Sequence, residues 1–159
     1  MGNNVVKYGH KVLKKKGLII EVLFGGFNIA DMKTNRNMLY SDRNFNPNFD
    51  ILQDIREATM DFTYEELASY LQYLSETKAF AERKTVILTT EASLARLSEW
   101  FDTFKGVHPV EFKVFDTLEK CVEWLDKGNT ELEIYNEIET LKKAPCSQCF
   151  KEPNAFTGF

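Results

Sequence analysis

No run of this sequence is long and apolar enough to span a bilayer. The longest, Leu18 to Phe24, is broken by Glu21 and falls far short of the roughly 20 residues a crossing helix needs. The N-terminus lacks a basic segment followed by an apolar one, so no secretory leader is expected. Met1-Gly2 opens like an acylation signal, but Val6 stands where serine or threonine is required. There are only three cysteines, an odd number without the spacing of a disulfide framework, which points to a reducing cytoplasm. Positive charge is not in excess: the net charge is −4, with lysine and arginine scattered among the acids. A nucleic-acid binder usually carries a basic face, so that class is set aside. The one basic run, Lys14-Lys15-Lys16, ends at Gly17 as a solvated turn. Neither a Walker loop nor a Gly-x-Gly-x-x-Gly fingerprint occurs, and no internal repeat is visible.

What is present is the composition of one globular domain: 159 residues, 43% hydrophobic and 28% charged, enough to bury a self-sufficient core. Tyr8 to Lys15 and Leu18 to Phe24 read as two short strands joined at Lys16-Gly17, an antiparallel hairpin. Leu18, Ile20, Val22 and Phe24 alternate on one face of the second strand. Gly25-Gly26 is expected to end it, and Asn28 to cap a short helix carrying Ile29, Met32 and Leu39 inward. Arg36 interrupts that helix's apolar stripe.

From Asn48 onward strand and helix alternate. Ile51 to Ile55 is a strand, and Thr63-Tyr64-Glu65-Glu66 is a capping box, threonine and glutamate each satisfying an orphan amide. Its helix turns Tyr64, Leu67, Leu71 and Leu74 inward. Thr85 to Thr89 is a strand apolar enough to be buried on both faces. A helix with Leu94, Leu97, Phe101 and Phe104 follows, then a strand from Val110 to Phe115. Asp116-Thr117-Leu118-Glu119 reads as a second capping box, opening a helix that buries Leu118, Cys121, Val122 and Leu125. The fold class is therefore α/β: a mixed sheet of about five strands, a starting hairpin and then parallel strands linked through right-handed helical crossovers. The organisation expected is one domain over 1–128, a helix over 129–143 on its edge, with Ile134, Ile138 and Leu141 on one side, and a mobile tail over 144–159.

One stretch carries a family resemblance. Asp50-Ile51-Leu52-Gln53-Asp54-Ile55-Arg56, then Ala58, then Thr63 opening a helix, is similar to the STAS domain (sulfate transporter and anti-sigma-factor antagonist), particularly its stand-alone bacterial members. The likeness extends from about Lys11 to Leu125. It implies a STAS-like fold and a non-enzymatic regulatory or protein-interaction module, acting through the surface around the second helix. In that family the loop before this helix holds a phosphorylatable serine followed by Gly and Leu. Here Thr63 stands at that place, with Tyr64 rather than glycine after it, so the resemblance makes Thr63 the phosphorylation candidate. A related architecture in Sec14-like modules offers the alternative of a lipid or other apolar small molecule.

Parallel sheets collect ligands outside the carboxyl ends of their strands. Those ends are Asp54 and Arg56, Thr89 and Thr90, and Asp116 and Thr117, with Thr63 and Tyr64 nearby, and together they could hold an anion or meet a protein partner. The plainer account makes Thr63, Thr90 and Asp116 helix caps. Cys146-Ser147-Gln148-Cys149 has the spacing of half a structural zinc site or of a redox pair, but a redox pair would sit early, at a helix start, and zinc needs four ligands, so neither metal nor cofactor is expected. Cys121 falls on an apolar helix face, and neither His10 nor His108 is paired with serine or cysteine, so no catalytic set is expected. Thirteen phenylalanines either fill the core or, with Phe24, Phe101, Phe104 and Phe115, wall an apolar cavity.

Overall fold

In the computed structural model, which describes residues 7–76, 83–104 and 110–143, the chain opens with the antiparallel hairpin. Strand β1 covers Lys7–Leu13 and β2 covers Leu18–Phe27. Lys14–Lys16 between them form a 3-10 turn instead of continuing β1 to Lys15. Gly17 closes that turn at φ +60°, a left-handed conformation a side chain would resist. The following elements are α1 (Ile29–Tyr40), β3 (Asp50–Met60), α2 (Tyr64–Ser75), β4 (Lys84–Leu88), α3 (Glu91–Asp102), β5 (Glu111–Phe115), α4 (Leu118–Trp124) and α5 (Glu131–Lys143). The sheet order is β1-β2-β3-β4-β5, with only the hairpin antiparallel, as the pattern of strand and helix implied.

Strand limits differ from the sequence expectation where two long strands run together. Gly25-Gly26 do not end β2: they pair with Ala58 and Thr59 of β3. Gly25 sits at φ +71° and takes the chain through a bend without leaving the ladder. Correspondingly β3 continues past Ile55 to Met60. Val22 pairs with Asp54 but Phe24 with Glu57, so β3 holds one extra residue, a bulge just after Asp54.

Because each parallel connection crosses the same way, α1, α2 and α3 share one face of the sheet. There Tyr8, Leu23, Phe27, Ile55, Ile87 and Val114 meet Leu97 of α3, and Ile19 and Ile51 meet Leu39 of α1. Helix α2 lies over its neighbours, with Leu67, Tyr70, Leu71 and Leu74 against Phe104, Val110 and part of α1. The opposite face holds Leu18, Ile20, Val22, Leu52, Val86 and Leu88 under Cys121, Val122 and Leu125 and under Ile134 and Ile138 of α5. Helix α5 covers the β1–β2 end of the sheet, and Gly9 lets Leu141 come down close: a Cβ there would meet its Cδ2 at 3.3 Å. The four phenylalanines considered as a cavity wall are divided between layers, Phe24 and Phe115 below α4 and α5, Phe101 and Phe104 against α2.

Local capping explains most helix starts. Asn28 and Asp31 form a reciprocal box, as do Thr63 and Glu66, and the Thr90 hydroxyl accepts from the Ser93 amide. Asp116 is not a cap. Thr117 takes that place, accepting from the Lys120 amide at 3.2 Å. The third helical residue is then Lys120, which has no carboxylate to reach back, so no second box forms; Asp116 instead pairs with Lys120 Nζ at 3.4 Å. Among the described residues no helix is long and apolar enough to cross a membrane. The tail, with Cys146 and Cys149, and His108 lie outside the described residues.

Candidate functional site

Asp54 is the last β3 residue paired with β4, opposite Leu88, so it marks the carboxyl end of the central ladder. It is buried, and Arg56 grips it in a fork: Nη2 donates at 2.7 Å and Nε at 3.0 Å, while the Arg56 backbone N–H donates to the same carboxylate at 3.0 Å. The hydrogen bonds to Asp54 raise the Arg56 pKa. Lys142 Nζ of α5 lies 3.7 Å from Asp54 and 2.9 Å from Glu57. The bulge is what turns Asp54, Arg56 and Glu57 together toward α5. Cys121 sits in the same neighbourhood, its thiol pushed up to about 12 by burial and then by the Asp54 charge. Such a thiol stays protonated and is a poor nucleophile.

The other residues expected at this crevice are distributed elsewhere. Thr89 is buried behind β4, its N–H donating to the Phe115 carbonyl at 2.9 Å. Thr63 and Thr90 are exposed caps on the α1–α3 face. Tyr64 stacks on Phe104 at 5.5 Å, meets Trp100 edge-on and shares a 2.9 Å hydrogen bond with Thr103, fastening the start of α2 to α3. Asp116, just before α4, pairs with Lys120 at 3.4 Å. The structure thus brings Asp54 and Arg56 together on the α4–α5 side and sets Thr63, Tyr64 and Thr90 apart from them.

A second polar cluster lies under α1, and it is more deeply enclosed. Glu21, 1% exposed, accepts from the Tyr8 hydroxyl at 2.6 Å and from Gln53 Nε2 at 3.0 Å, with Arg36 Nη2 at 3.6 Å. Burial and then Glu21 hold the Tyr8 pKa well above its ordinary value. Burial alone would lower the Arg36 pKa; the facing Glu21 overcomes this and raises it. Arg83, donating to the Pro47 carbonyl at 3.1 Å, is brought down to about 10 by burial and then by the Arg36 charge. None of these residues was among the expected site residues. Two signals were nonetheless in plain view: a glutamate inside the most apolar strand and an arginine inside a helix's apolar stripe.

Among the described residues no group of three or more His, Cys, Asp or Glu could hold a metal ion. No family model matches the sequence, and no curated protein is detectably similar to it. Its structure does have a match: an uncharacterized protein of the DUF3478 family from Shewanella loihica PV-4, described as having a SpoIIAA-like fold. The TM-score is 0.50 at 21% identity, covering 79% of this chain and 98% of that one. This chain has the STAS fold. That likeness speaks to architecture, the level at which Asp50 to Ala58 and Thr63 first suggested it, and leaves the chemistry of the site to the residues themselves.

Proposed function

We propose that this STAS-type domain is a non-enzymatic regulatory module of the cytoplasm that binds another protein through the surface around α2. The observation that carries this reading is the outward stripe of α2: Glu66, Ser69, Tyr73 and Glu76, at helical spacing, are all open to solvent. Tyr73 is 45% exposed, with Lys33 of α1 4.7 Å above its ring. An aromatic ring rimmed by charge is a common anchor at interfaces. The head of the same helix is Thr63, whose hydroxyl accepts from the Glu66 amide at 3.1 Å. Its first duty is that cap. A phosphate there would gain from the helix N-terminus but face Asp61, Glu65 and Glu66. Catalysis is disfavoured because the buried Cys121 thiol stays protonated and no serine or cysteine of the described residues hydrogen-bonds to His10, whose Nε2 lies 2.8 Å from Asp42.

Native mass spectrometry of the full chain purified from its own host tests this. A protein partner is expected, lost with Tyr73→Ala and Ser69→Lys together. Co-purified lipid or another apolar small molecule in place of a protein would overturn the proposal in favour of a Sec14-like carrier.

A further inference from the structure

The protein's negative charge is concentrated on one layer. Between Asp116 and Lys143 there are eight carboxylates and four lysines, an excess equal to the chain's whole net charge of −4. Three of the lysines are engaged, Lys120 with Asp116 at 3.4 Å, Lys127 with Asp50 at 3.8 Å and Lys142 with Glu57 at 2.9 Å. Four of the acids, Glu119, Glu123, Asp126 and Glu131, line an open pocket of about 280 Å³ between α4 and α5, together with Val122 and Gly128. Next to it α5 exposes apolar surface that has no partner among the described residues. Leu132 is 72% and Tyr135 48% exposed, spaced three residues apart and therefore neighbours on the helix. Tyr135 also follows Glu131 by four residues, so the apolar pair continues from the pocket's own wall. A monomeric surface carries single apolar residues freely; an adjacent pair at the lip of a charged hollow is the plan of an interface, apolar anchor and polar rim.

We propose that the α4–α5 face docks a basic, amphipathic segment of a partner protein. A lysine or arginine of that segment enters the acidic pocket, and its apolar neighbours lie across Leu132 and Tyr135. Charge complementarity selects this occupant: the surface repels another acidic chain, and a second copy of this protein would bring its own carboxylates. The surface lies on the opposite side of the sheet from α2, so it stands or falls apart from the reading given above.

The test titrates the full chain into a fluorescent synthetic helix of lysine and leucine at amphipathic spacing, followed by anisotropy. Saturable one-to-one binding is expected, about tenfold weaker when Glu123→Lys is combined with Glu131→Gln. Leu132→Ser with Tyr135→Ser is expected to weaken it by a similar factor. As a control, Glu91→Lys with Glu99→Gln makes the same change of charge at exposed α3 positions and is expected to leave binding unchanged. All these side chains are at the surface, and circular dichroism checks that each variant is folded. An equal loss in the α3 control, or indifference to Leu132 and Tyr135, would overturn the proposal as unspecific charge attraction. So would a dimer in sedimentation that the Leu132 and Tyr135 changes abolish, which makes a second copy the occupant. Stoichiometric displacement of the peptide by calcium would overturn it in favour of a cation site.

Discussion

Each face of the sheet buries a carboxylate against an arginine, and the two pairs are built differently. Asp54 and Arg56 are two residues apart on one bulged strand, joined by a fork at 2.7 and 3.0 Å, with the arginine reaching toward water. Glu21 and Arg36 come from a strand and a helix, approach only to 3.6 Å, and are both enclosed. Glu21 is held more by Tyr8 and Gln53 than by its counter-ion. The local pair shapes a strand. The distant pair fastens a helix, since α1 buries only Asn35, Arg36 and Leu39, whereas α2 buries four residues of its apolar face. Where apolar area is scarce, an enclosed ion pair decides how the helix sits, yet it adds little net stability once desolvation is counted.

The largest effect expected from this contrast follows Arg36→Met. It leaves Glu21 charged and buried with two neutral donors, and should cost about 3–5 kcal/mol in urea unfolding. Combining it with Glu21→Leu should recover part of the loss, because the buried charge is gone while the Tyr8 hydroxyl and the Gln53 amide lose their acceptor. A double variant no more stable than the single one would show that the pair itself, rather than the stranded charge, holds α1.

Arg56→Ala should do less, about 1–2 kcal/mol, although its hydrogen bonds are shorter. Asp54 keeps Lys142 at 3.7 Å, and the Arg56 backbone N–H still donates to it. The arginine's partial exposure already screens the lost interaction. If Arg56→Ala cost as much as Arg36→Met, distance in sequence and depth of burial would not be what separates the two sites.

The same division explains how far the sequence could be read. The Thr63–Glu66 box and the Thr90 cap were legible because their partners are three residues away. Asp116 looks like a cap in the sequence because Asp and Thr adjoin there and only backbone geometry chooses between them. Gly25-Gly26 look like a strand terminus until β3 is found running beside them to Met60. Glu21 and Arg36 were each visible as an anomaly, but not as a pair, since only the crossover from β2 through α1 brings them together. Nothing local in Asp54 could announce Lys142, which arrives from the last helix. Of the residues expected at the strand ends, Thr63 and Thr90 are the caps their spacing implied and Asp116 is not, and the face on which each side chain emerges was not legible.

The smallest effect concerns a third pair, on the outer end of the α1 side, where solvent reaches. His10 Nε2 lies 2.8 Å from Asp42 in the turn after α1, and the Asn44 backbone N–H donates to the same carboxylate at 2.8 Å. Burial would raise the Asp42 pKa, but the Asn44 amide and His10 outweigh it and leave the pKa lowered, with Lys11 adding a little. A carboxyl group whose folded pKa lies below its unfolded value stabilises the fold once pH is above the unfolded value of about 4. That contribution is lost as pH falls through the folded pKa, because the unfolded chain takes up the proton first. Between pH 5 and pH 3 the urea midpoint of the wild type should therefore fall toward that of Asp42→Asn, the gap narrowing as the carboxylate is neutralised. The gap should be small at every pH, since Asp42 is near water and its charge is screened. Arg36→Met, by contrast, should show a far larger deficit at neutral pH, because it removes the counter-ion of a fully enclosed carboxylate. A gap for Asp42→Asn that stayed constant to pH 3 would mean that the turn is held by shape and not by charge, and the His10–Asp42 pair would no longer differ from a neutral hydrogen bond.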